Sequence, residues 1–394
     1  MPSPVDDFPT AGMIGGGQLA RMTQQAAIAL GVELRVLARD AAESAARVVS
    51  EPFLGDHDDA TALREFAAGV DVITFDHEHV PPALLQELIE LGTPVRPSPE
   101  ALIHAQDKIT MRRELAAAGL PCPEWDFIPH GASDEQAIAV LAGFGDQVGW
   151  PIVMKTSRGG YDGRGVWVVD DLTQARDVLR DAQLAPNASW LLEEKVDFVR
   201  ELAAQVARSP HGQAVAYPVV QTVQTDGMCT EVIAPAPNLA HDRAIEAQRI
   251  ALEVAHVVGV TGMLAVELFD TGDRLLINEL AMRPHNSGHW TIDGAITSQF
   301  ENHLRAVLDL PLGSPAARDR YTVMVNVLGT GRGSMYAAYK HVLARDPRVK
   351  VHMYGKEPRA GRKLGHVCVG GDDLEQLLIR AHHAADYLAG VIDE

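Results

Sequence analysis

Two apolar runs, Ala265-Val266-Glu267-Leu268-Phe269 and Leu275-Leu276-Ile277, flank Thr271-Gly272-Asp273. Runs joined by so short a polar, glycine-containing segment fold as a β-hairpin. A three-residue loop over 271–273 pairs Asp270 with Arg274, Glu267 with Ile277 and Ala265 with Glu279. Residues directly opposite share a face of the sheet, so Glu267 and Glu279 lie diagonally on one face, roughly 7–8 Å apart at the backbone. A two-residue loop would put them on opposite faces, so the inference turns on the loop. Two carboxylates among apolar residues resist ionising together. A divalent cation relieves that, and magnesium favours carboxylates plus substrate phosphates. The plainer alternative is two unrelated strand glutamates facing solvent. After Ile277 the chain delivers Asn278, Glu279, Arg283, His285, Asn286 and His289 in quick succession. Such density of polar groups after an apolar strand marks a strand end at an active site.

The chain has 394 residues, enough for two or three domains with ample cores. Its net charge of −19 makes it a poor general ligand for nucleic acid or an anionic membrane. No apolar run approaches the roughly 20 residues of a membrane span. Residues 1–10 lack the basic start and apolar core of a signal peptide. The three cysteines, Cys122, Cys229 and Cys368, form neither a disulfide framework nor a zinc pattern. A reducing cytoplasm is the expected setting.

In chain order, the apolar 11–14 leads into Gly15-Gly16-Gly17-Gln18-Leu19-Ala20, which reads as strand, glycine turn and a helix through Leu30. Gly15, Gly17 and Ala20, with Asp40 farther on, fit a dinucleotide fingerprint. The alternative is a turn whose amides and helix N-terminus hold another anion. Strands over 32–37, 70–75 and 93–96 and helices over 60–68 and 81–91 continue a parallel βα alternation. Asp76-His77-Glu78-His79 follows the 70–75 strand, where α/β sheets keep their ligands; its His-x-His lacks a third metal ligand at helical spacing. A helix is expected over 106–119, stopping at Gly119-Leu120-Pro121.

The strand 150–155 ends in Lys155 and is followed by Ser157-Arg158-Gly159-Gly160-Tyr161-Asp162-Gly163-Arg164-Gly165, then a strand over 166–169. A glycine-rich loop between strands, with a lysine on the first, suits a flap over phosphates; the plainer reading is a hairpin with a loose tip. The strand end at Glu193-Glu194-Lys195-Val196, with Glu201 nearby, suits an adenine edge and a ribose, although any edge strand can look so. A strand over 214–223 and a helix over 241–258 follow, the latter with Ile245, Ile250, Leu252, Val254 and Val257 facing inward. A helix over 298–308 precedes a tail with a strand over 321–328 and a closing helix over 374–388. Between them, the basic turn with Lys356, Arg359, Arg362 and Lys363 reads as a phosphate grip, or as a solvated loop.

GGGQLARM at 15–22, GGYDGRG at 159–165, INELAMRPHNSGHWT at 277–291, SQFENHLRAVLDLPLG at 298–313 and YGKEPRAGRKLGHV at 354–367 resemble the 5-(carboxyamino)imidazole ribonucleotide synthase family of the ATP-grasp superfamily. The resemblance covers about residues 11–390. It implies an α/β chain, α+β in its middle domain: a Rossmann-like parallel-sheet domain over 1–103, an ATP-grasp domain over 104–312 with a lid at about 125–200, and a small C-terminal domain over 313–394. It implies a ligase that uses ATP, with Mg2+ or Mn2+, and bicarbonate to carboxylate the amine of aminoimidazole ribonucleotide, acting in the cytoplasm as a homodimer.

Carried over, Glu267 and Glu279 hold the metal, with Asn286 adjacent. Lys108 and Lys155, the flap residues Gly159, Gly160, Tyr161, Asp162 and Gly163, the strand-end residues Glu193, Glu194, Lys195 and Val196, and Glu201, Gln224 and Asn278 hold ATP. Tyr161, Asp162, Arg164, Arg283, His285 and Lys356 line the bicarbonate and substrate pocket. Gln18, Glu78, Asn286, Lys356, Arg362 and Lys363 bind the ribonucleotide, the last two at its phosphate. The family's glycine turn then serves substrate rather than dinucleotide. Two departures stand out: Thr222 and Gln224 replace a common asparagine and histidine, and Asp76-His77-Glu78-His79 replaces the commoner E-F-E-N. Other readings are a formate-dependent glycinamide ribonucleotide transformylase, a dinucleotide oxidoreductase and a non-enzymatic nucleotide-binding regulator.

Overall fold

The computed structural model describes residues 8–160, 163–185, 187–330 and 335–393. The first unit is a four-stranded parallel sheet of β1 (Thr10–Ile14), β2 (Glu33–Ala38), β3 (Phe53–Leu54) and β4 (Val72–Phe75), in the order β3-β2-β1-β4. Helices α1 (Gln18–Leu30), α2 (Ala60–Ala67) and α3 (Pro82–Glu90) connect and cover it. Glycine closes α1, with Gly31 at φ +71° donating back to the last turn. The strand expected over 93–96 is a single parallel bridge between Ile73 and Val95.

The helix expected over 106–119 is two helices, α4 (Pro99–Gln106) and α5 (Lys108–Ala117). Asp107 divides them. Its extended backbone ends α4, and its carboxylate accepts from the amides of Ile109 and Thr110, capping α5. A second sheet follows in the order β5-β8-β6-β7, from β5 (Trp125–Ile128), β6 (Ile152–Thr156), β7 (Val166–Val169) and β8 (Trp190–Glu194). It packs on α6 (Asp134–Val148), begun by a Ser133/Gln136 capping box, and α7 (Leu172–Asp181).

The largest sheet runs β14-β13-β9-β11-β12-β15-β17-β16, with β10 on β9. Its strands are β9 (Arg200–Arg208), β10 (Ala214–Ala216), β11 (Val220–Thr225), β12 (Met228–Ala234), β13 (Gly262–Asp270), β14 (Leu275–Ala281), β15 (Tyr321–Leu328), β16 (Lys350–Met353) and β17 (Lys363–Gly371). The strand expected over 214–223 breaks at Tyr217-Pro218-Val219, where Pro218 brings no amide to the ladder. Helix α8 (His241–Val257) covers this sheet with Ala247, Ile250, Ala251, Val254 and Ala255 buried. Ile245 and Leu252, expected inside, are exposed, because alanines let the helix approach the strands along a different stripe.

The tail does not build a sheet of its own. β15 pairs with β12 through Glu231↔Val325 to Ala234↔Thr322, so β15, β17 and β16 extend the middle sheet. The tail keeps a separate core, in which α9 (Leu374–Ala389) sets Leu377, Ala381 and Leu388 against Val323, Val325 and Val367.

The 265–281 hairpin differs from expectation in a way that matters. The pairs are Asp270↔Leu275, Phe269↔Leu276 and Leu268↔Ile277, so the loop has four residues, 271–274. Thr271 N donates to Arg274 O at 3.0 Å, and Gly272 takes φ +90°. An even loop alone would put the two glutamates on opposite faces. A bulge at Asn278 restores the parity, and Glu267 stands directly opposite Glu279. The expected diagonal pair is thus a facing pair, reached by a longer loop plus one extra residue.

Candidate active site

The three sheets meet at a cleft of about 2060 Å³. Gln18 and Glu78 come from the parallel domain, Lys155 and Glu193 from the second sheet, Glu267 and Glu279 from the hairpin, and Lys356, Arg362 and Lys363 from the β16–β17 connection. Glu194, Lys195, Val196, Glu201, Gln224, Asn278, Arg283, His285 and Asn286 line the same cleft, as do the flap residues Gly159, Gly160, Gly163 and Arg164. Tyr161 and Asp162 lie outside the described residues. Gly163, at φ +75°, passes so close to Gly227 that a Cβ would come within 3.0 Å of its Cα, which brings the flap onto the β11–β12 turn.

Glu267 and Glu279 have unequal surroundings. Burial, then the charges of Glu279 and Glu201, push the Glu267 carboxyl up to about 8. Burial also acts on Glu279, but Lys108, which bonds its carboxylate, brings it below the usual range. His285 Nε2 is 3.4 Å from Glu267 Oε1. The Nδ1 of His285 accepts from Ser287 N, which leaves the ring proton on Nε2, facing the glutamate. Burial, then the charges of Arg283 and Lys363, hold this imidazole at about 3, so it is neutral.

A proton held on Glu267 opposite an ionised Glu279 makes a pair that suits a divalent cation, which would displace that proton. Among the described residues no group of three or more His, Cys, Asp or Glu side chains is arranged as a metal cage. Such a donor set fits magnesium, which takes its remaining oxygens from water and substrate phosphates, better than a metal held wholly by protein. The His-x-His of residues 77–79 likewise makes no metal cluster: His77 is packed edge-on against His57 at 4.7 Å and stacked on His79 at 5.5 Å.

Beside the hairpin, Lys155 Nζ is 2.6 Å from Glu193 Oε2 and donates to Asn278 Oδ1 at 3.1 Å. Glu193 is almost fully buried, and its second oxygen accepts from Arg112 Nε at 2.6 Å. Burial raises the Glu193 carboxyl, but Arg112 and Lys155 outweigh it and hold it at about 2. Its carboxylate is therefore committed to these cations rather than offered to a ribose, which corrects the sequence expectation for its side chain. At the cleft rim, Phe198 and Phe269 stack with centroids 4.8 Å apart, next to Val196.

On the opposite wall, Glu78 accepts from Arg283 Nε at 2.7 Å and from Met282 N at 3.3 Å, which ties the parallel domain to the end of β14. Lys356 Nζ donates to Gln18 Oε1 at 2.6 Å. Arg362 donates to Glu357 O at 3.2 Å, beside Lys363. Asn286 is buried, and its Oδ1 has no partner among the described residues.

Part of the helix N-terminus at the glycine turn is taken up within the chain. Asp76 already occupies it, accepting from Gly17 N at 3.0 Å and Ala20 N at 2.8 Å. A Cβ on Gly17 would fall 2.0 Å from Asp76 Oδ2, so the glycine makes room for a carboxylate of the same chain. Two of the turn's amides are thus taken, while Gly17, Gln18 and Leu19 still line the cleft. His289 also leaves the site: it is fully buried, bonded to Gln299 and packed on Phe300 and His366. Sequence reasoning passed over Arg112 and the Phe198–Phe269 stack. Arg112 lies four residues after Lys108, on the same helix face, and that spacing was the available signal.

Three family models match consecutive regions: a ribonucleotide synthetase preATP-grasp domain over 8–106, an ATP-grasp domain over 113–300, and a phosphoribosylaminoimidazole carboxylase C-terminal domain over 322–380. The chain is 56% identical over 385 residues to the N5-carboxyaminoimidazole ribonucleotide synthase of Mycobacterium bovis, covering 97% of this chain and 88% of that protein. An ADP complex of an N5-carboxyaminoimidazole ribonucleotide synthetase superposes with a TM-score of 0.86 at 33% identity, over 98% of each chain. The Aspergillus clavatus enzyme, in complex with ADP and 5-aminoimidazole ribonucleotide, superposes with a TM-score of 0.85 at 29% identity, over 97% of this chain and 99% of its own. Nearly full-length similarity, with the three regions in one order, means that the chain belongs to the N5-carboxyaminoimidazole ribonucleotide synthase family and is an ATP-grasp ligase.

Proposed function

We propose that this chain uses ATP and bicarbonate to carboxylate the amine of 5-aminoimidazole ribonucleotide, releasing ADP and phosphate, as a step of purine biosynthesis. The observation that carries the reading is the pairing, in one cleft, of the facing Glu267 and Glu279 beside Lys108 and Lys155 with a basic wall of Arg283, Lys356, Arg362 and Lys363.

Bicarbonate is a poor electrophile at neutral pH. Its oxygen attacks the γ-phosphorus, the bond to the ADP oxygen breaks, and carboxyphosphate forms. The amine then attacks the carboxyl carbon and phosphate leaves. Bound magnesium would be held by Glu267 and Glu279 and would neutralise charge on the phosphates. Lys108 and Lys155 reach the phosphates from the hairpin side. Arg283, fixed by Glu78, faces the acceptor and stabilises charge developing on the carboxyphosphate. His285, neutral with its Nε2 3.4 Å from Glu267 Oε1, brings an N–H rather than a charge to the site. Gly159, Gly160 and Gly163 of the flap cover the reacting groups and limit loss of carboxyphosphate to water. Lys195, Val196 and Glu201 take the nucleoside, and Gln18, Lys356, Arg362 and Lys363 the ribonucleotide. The functional units divide near residues 103 and 312, and the enzyme works in the cytoplasm as a homodimer, a state that sedimentation measures.

The test is ATP hydrolysis by the purified protein with each cosubstrate omitted in turn. Turnover should require both 5-aminoimidazole ribonucleotide and bicarbonate. Formate-driven turnover with glycinamide ribonucleotide, or ATP hydrolysis indifferent to both cosubstrates, would overturn the reading.

A further inference from the structure

Lys155 is the cation that the second sheet brings to the cleft, yet it stands against a buried carboxylate. A lysine paired one-to-one with Glu193 would be neutralised and of little use to a polyphosphate. The structure does not leave it so. Glu193 shares its two oxygens between two cations, Oε2 to Lys155 and Oε1 to Arg112, both at 2.6 Å. The cluster of Lys155, Glu193 and Arg112 therefore carries one net positive charge. Arg112 is fully buried, whereas Lys155 lines the cleft, so the excess charge is presented at Lys155.

Arg112 also fixes the second partner of Lys155. Its Nη2 donates to Asn278 O at 2.7 Å, and the side chain of Asn278 accepts from Lys155. Asn278 is the bulge residue that aligns Glu267 with Glu279. One guanidinium on α5 thus touches β8 of the second sheet and β14 of the largest sheet at their seam. Its remaining group lies 3.9 Å from Cys122 Sγ. A fork with several donors can hold two partners on different elements at once; an ammonium in its place would hold them less well.

We infer that Arg112 is a positioning residue for nucleotide binding: by occupying half of Glu193 and holding Asn278, it frees the charge of Lys155 for the phosphates of ATP. The inference rests on the reading that Lys155 meets those phosphates. It goes beyond that reading by assigning a role to a buried residue that touches no ligand.

The logic predicts a rescue. Arg112→Met leaves Glu193 wholly to Lys155, and ADP–magnesium should bind at least tenfold more weakly. Adding Glu193→Gln removes the competing carboxylate, and the double variant should return to within about threefold of the parent despite lacking both buried charges. Arg112→Lys should lie between parent and Arg112→Met. Calorimetry with ADP and magnesium reads all four proteins, with thermal midpoints recorded alongside. A structural role alone would leave the double variant as weak as Arg112→Met or weaker, and that result would overturn the inference. Should Arg112→Met not fold, Glu193→Gln alone decides: it should bind ADP at least as tightly as the parent, and a loss beyond threefold would show that Glu193 serves the nucleotide directly. Lys155→Met separates the two claims. If it leaves ADP binding unchanged, the phosphate reading fails. If it weakens binding and the double variant shows no rescue, only the role of Arg112 fails.

Discussion

The raised carboxyl of Glu267 makes metal binding a proton exchange. A site that needs both glutamates ionised must expel the proton from Glu267, which is retained up to about pH 8. At pH 7 about one molecule in ten has it ionised without metal, so affinity for Mn2+ or Mg2+ should be about tenfold below its high-pH limit. The logarithm of affinity should rise with a slope near +1 per pH unit between pH 6 and 7.5 and flatten above 8. Close to one proton, about 0.9, should be released per metal at pH 7. Electron paramagnetic resonance of free Mn2+ gives the affinities, and calorimetry in buffers of different ionisation enthalpy gives the protons. Stability has a definite sign as well. The folded value lies above the ordinary 4.5, so the contribution is complete below pH 4.5 and is lost as pH rises through 8. At about 1.36 kcal/mol per pH unit over that window, the ceiling is about 5 kcal/mol. Metal-free Glu267→Gln should therefore be more stable than the parent at pH 8, and the two should converge toward pH 4.5. A metal affinity flat from pH 6 to 8.5, or a Glu267→Gln protein no more stable at pH 8, would refute the reasoning.

Glu279→Ala should abolish turnover while leaving the protein folded, read by steady-state assay and circular dichroism, because the proposed metal would lose one of its two carboxylates and Lys108 loses its partner. Acid should unfold the protein early. Burial holds His285 and His303 at about 3 against an ordinary 6.5, so their stabilisation is present above pH 6.5 and declines as pH falls toward 3, by up to about 1.36 kcal/mol per pH unit each; thermal midpoints from pH 7 to 4 measure it. Asp76→Ala should cost about 1–2 kcal/mol in denaturant unfolding, since it strips the cap from α1 and leaves the Gly17 and Ala20 amides without that acceptor.

The hairpin shows how far local patterning carries. Alternation and a glycine turn were enough to pair β13 with β14 and to make Glu267 and Glu279 neighbours. The loop length and the bulge were not legible, because β13 is clamped on its other edge by β9, through pairs such as Glu267↔Ala203, and register is settled by the whole sheet. The same limit applied to α8. Its bulky residues suggested one inward stripe, but close helix–sheet packing selected the alanine side. Motifs were legible where one stretch of chain supplies the chemistry, as at 275–286 and 356–363. They were silent where distant segments supply it together. Arg112, Glu193 and Asn278 meet only after three elements fold, and Asp76 reaches the glycine turn from about sixty residues away.

Because β15 joins β12, the hairpin and the basic turn are fixed ends of a single hydrogen-bonded fabric. Laid flat, Glu267 on β13 and Lys363 at the start of β17 would stand five strand spacings apart, roughly 24 Å. Both line one cleft, which therefore runs along the sheet across those strands. The spacing between the two glutamates proposed to hold metal and the basic turn proposed to grip phosphate is therefore set within one hydrogen-bonded sheet. The second sheet and the parallel domain meet this sheet through side chains such as Arg112 and Glu78 and, among the described residues, share no strand pairing with it.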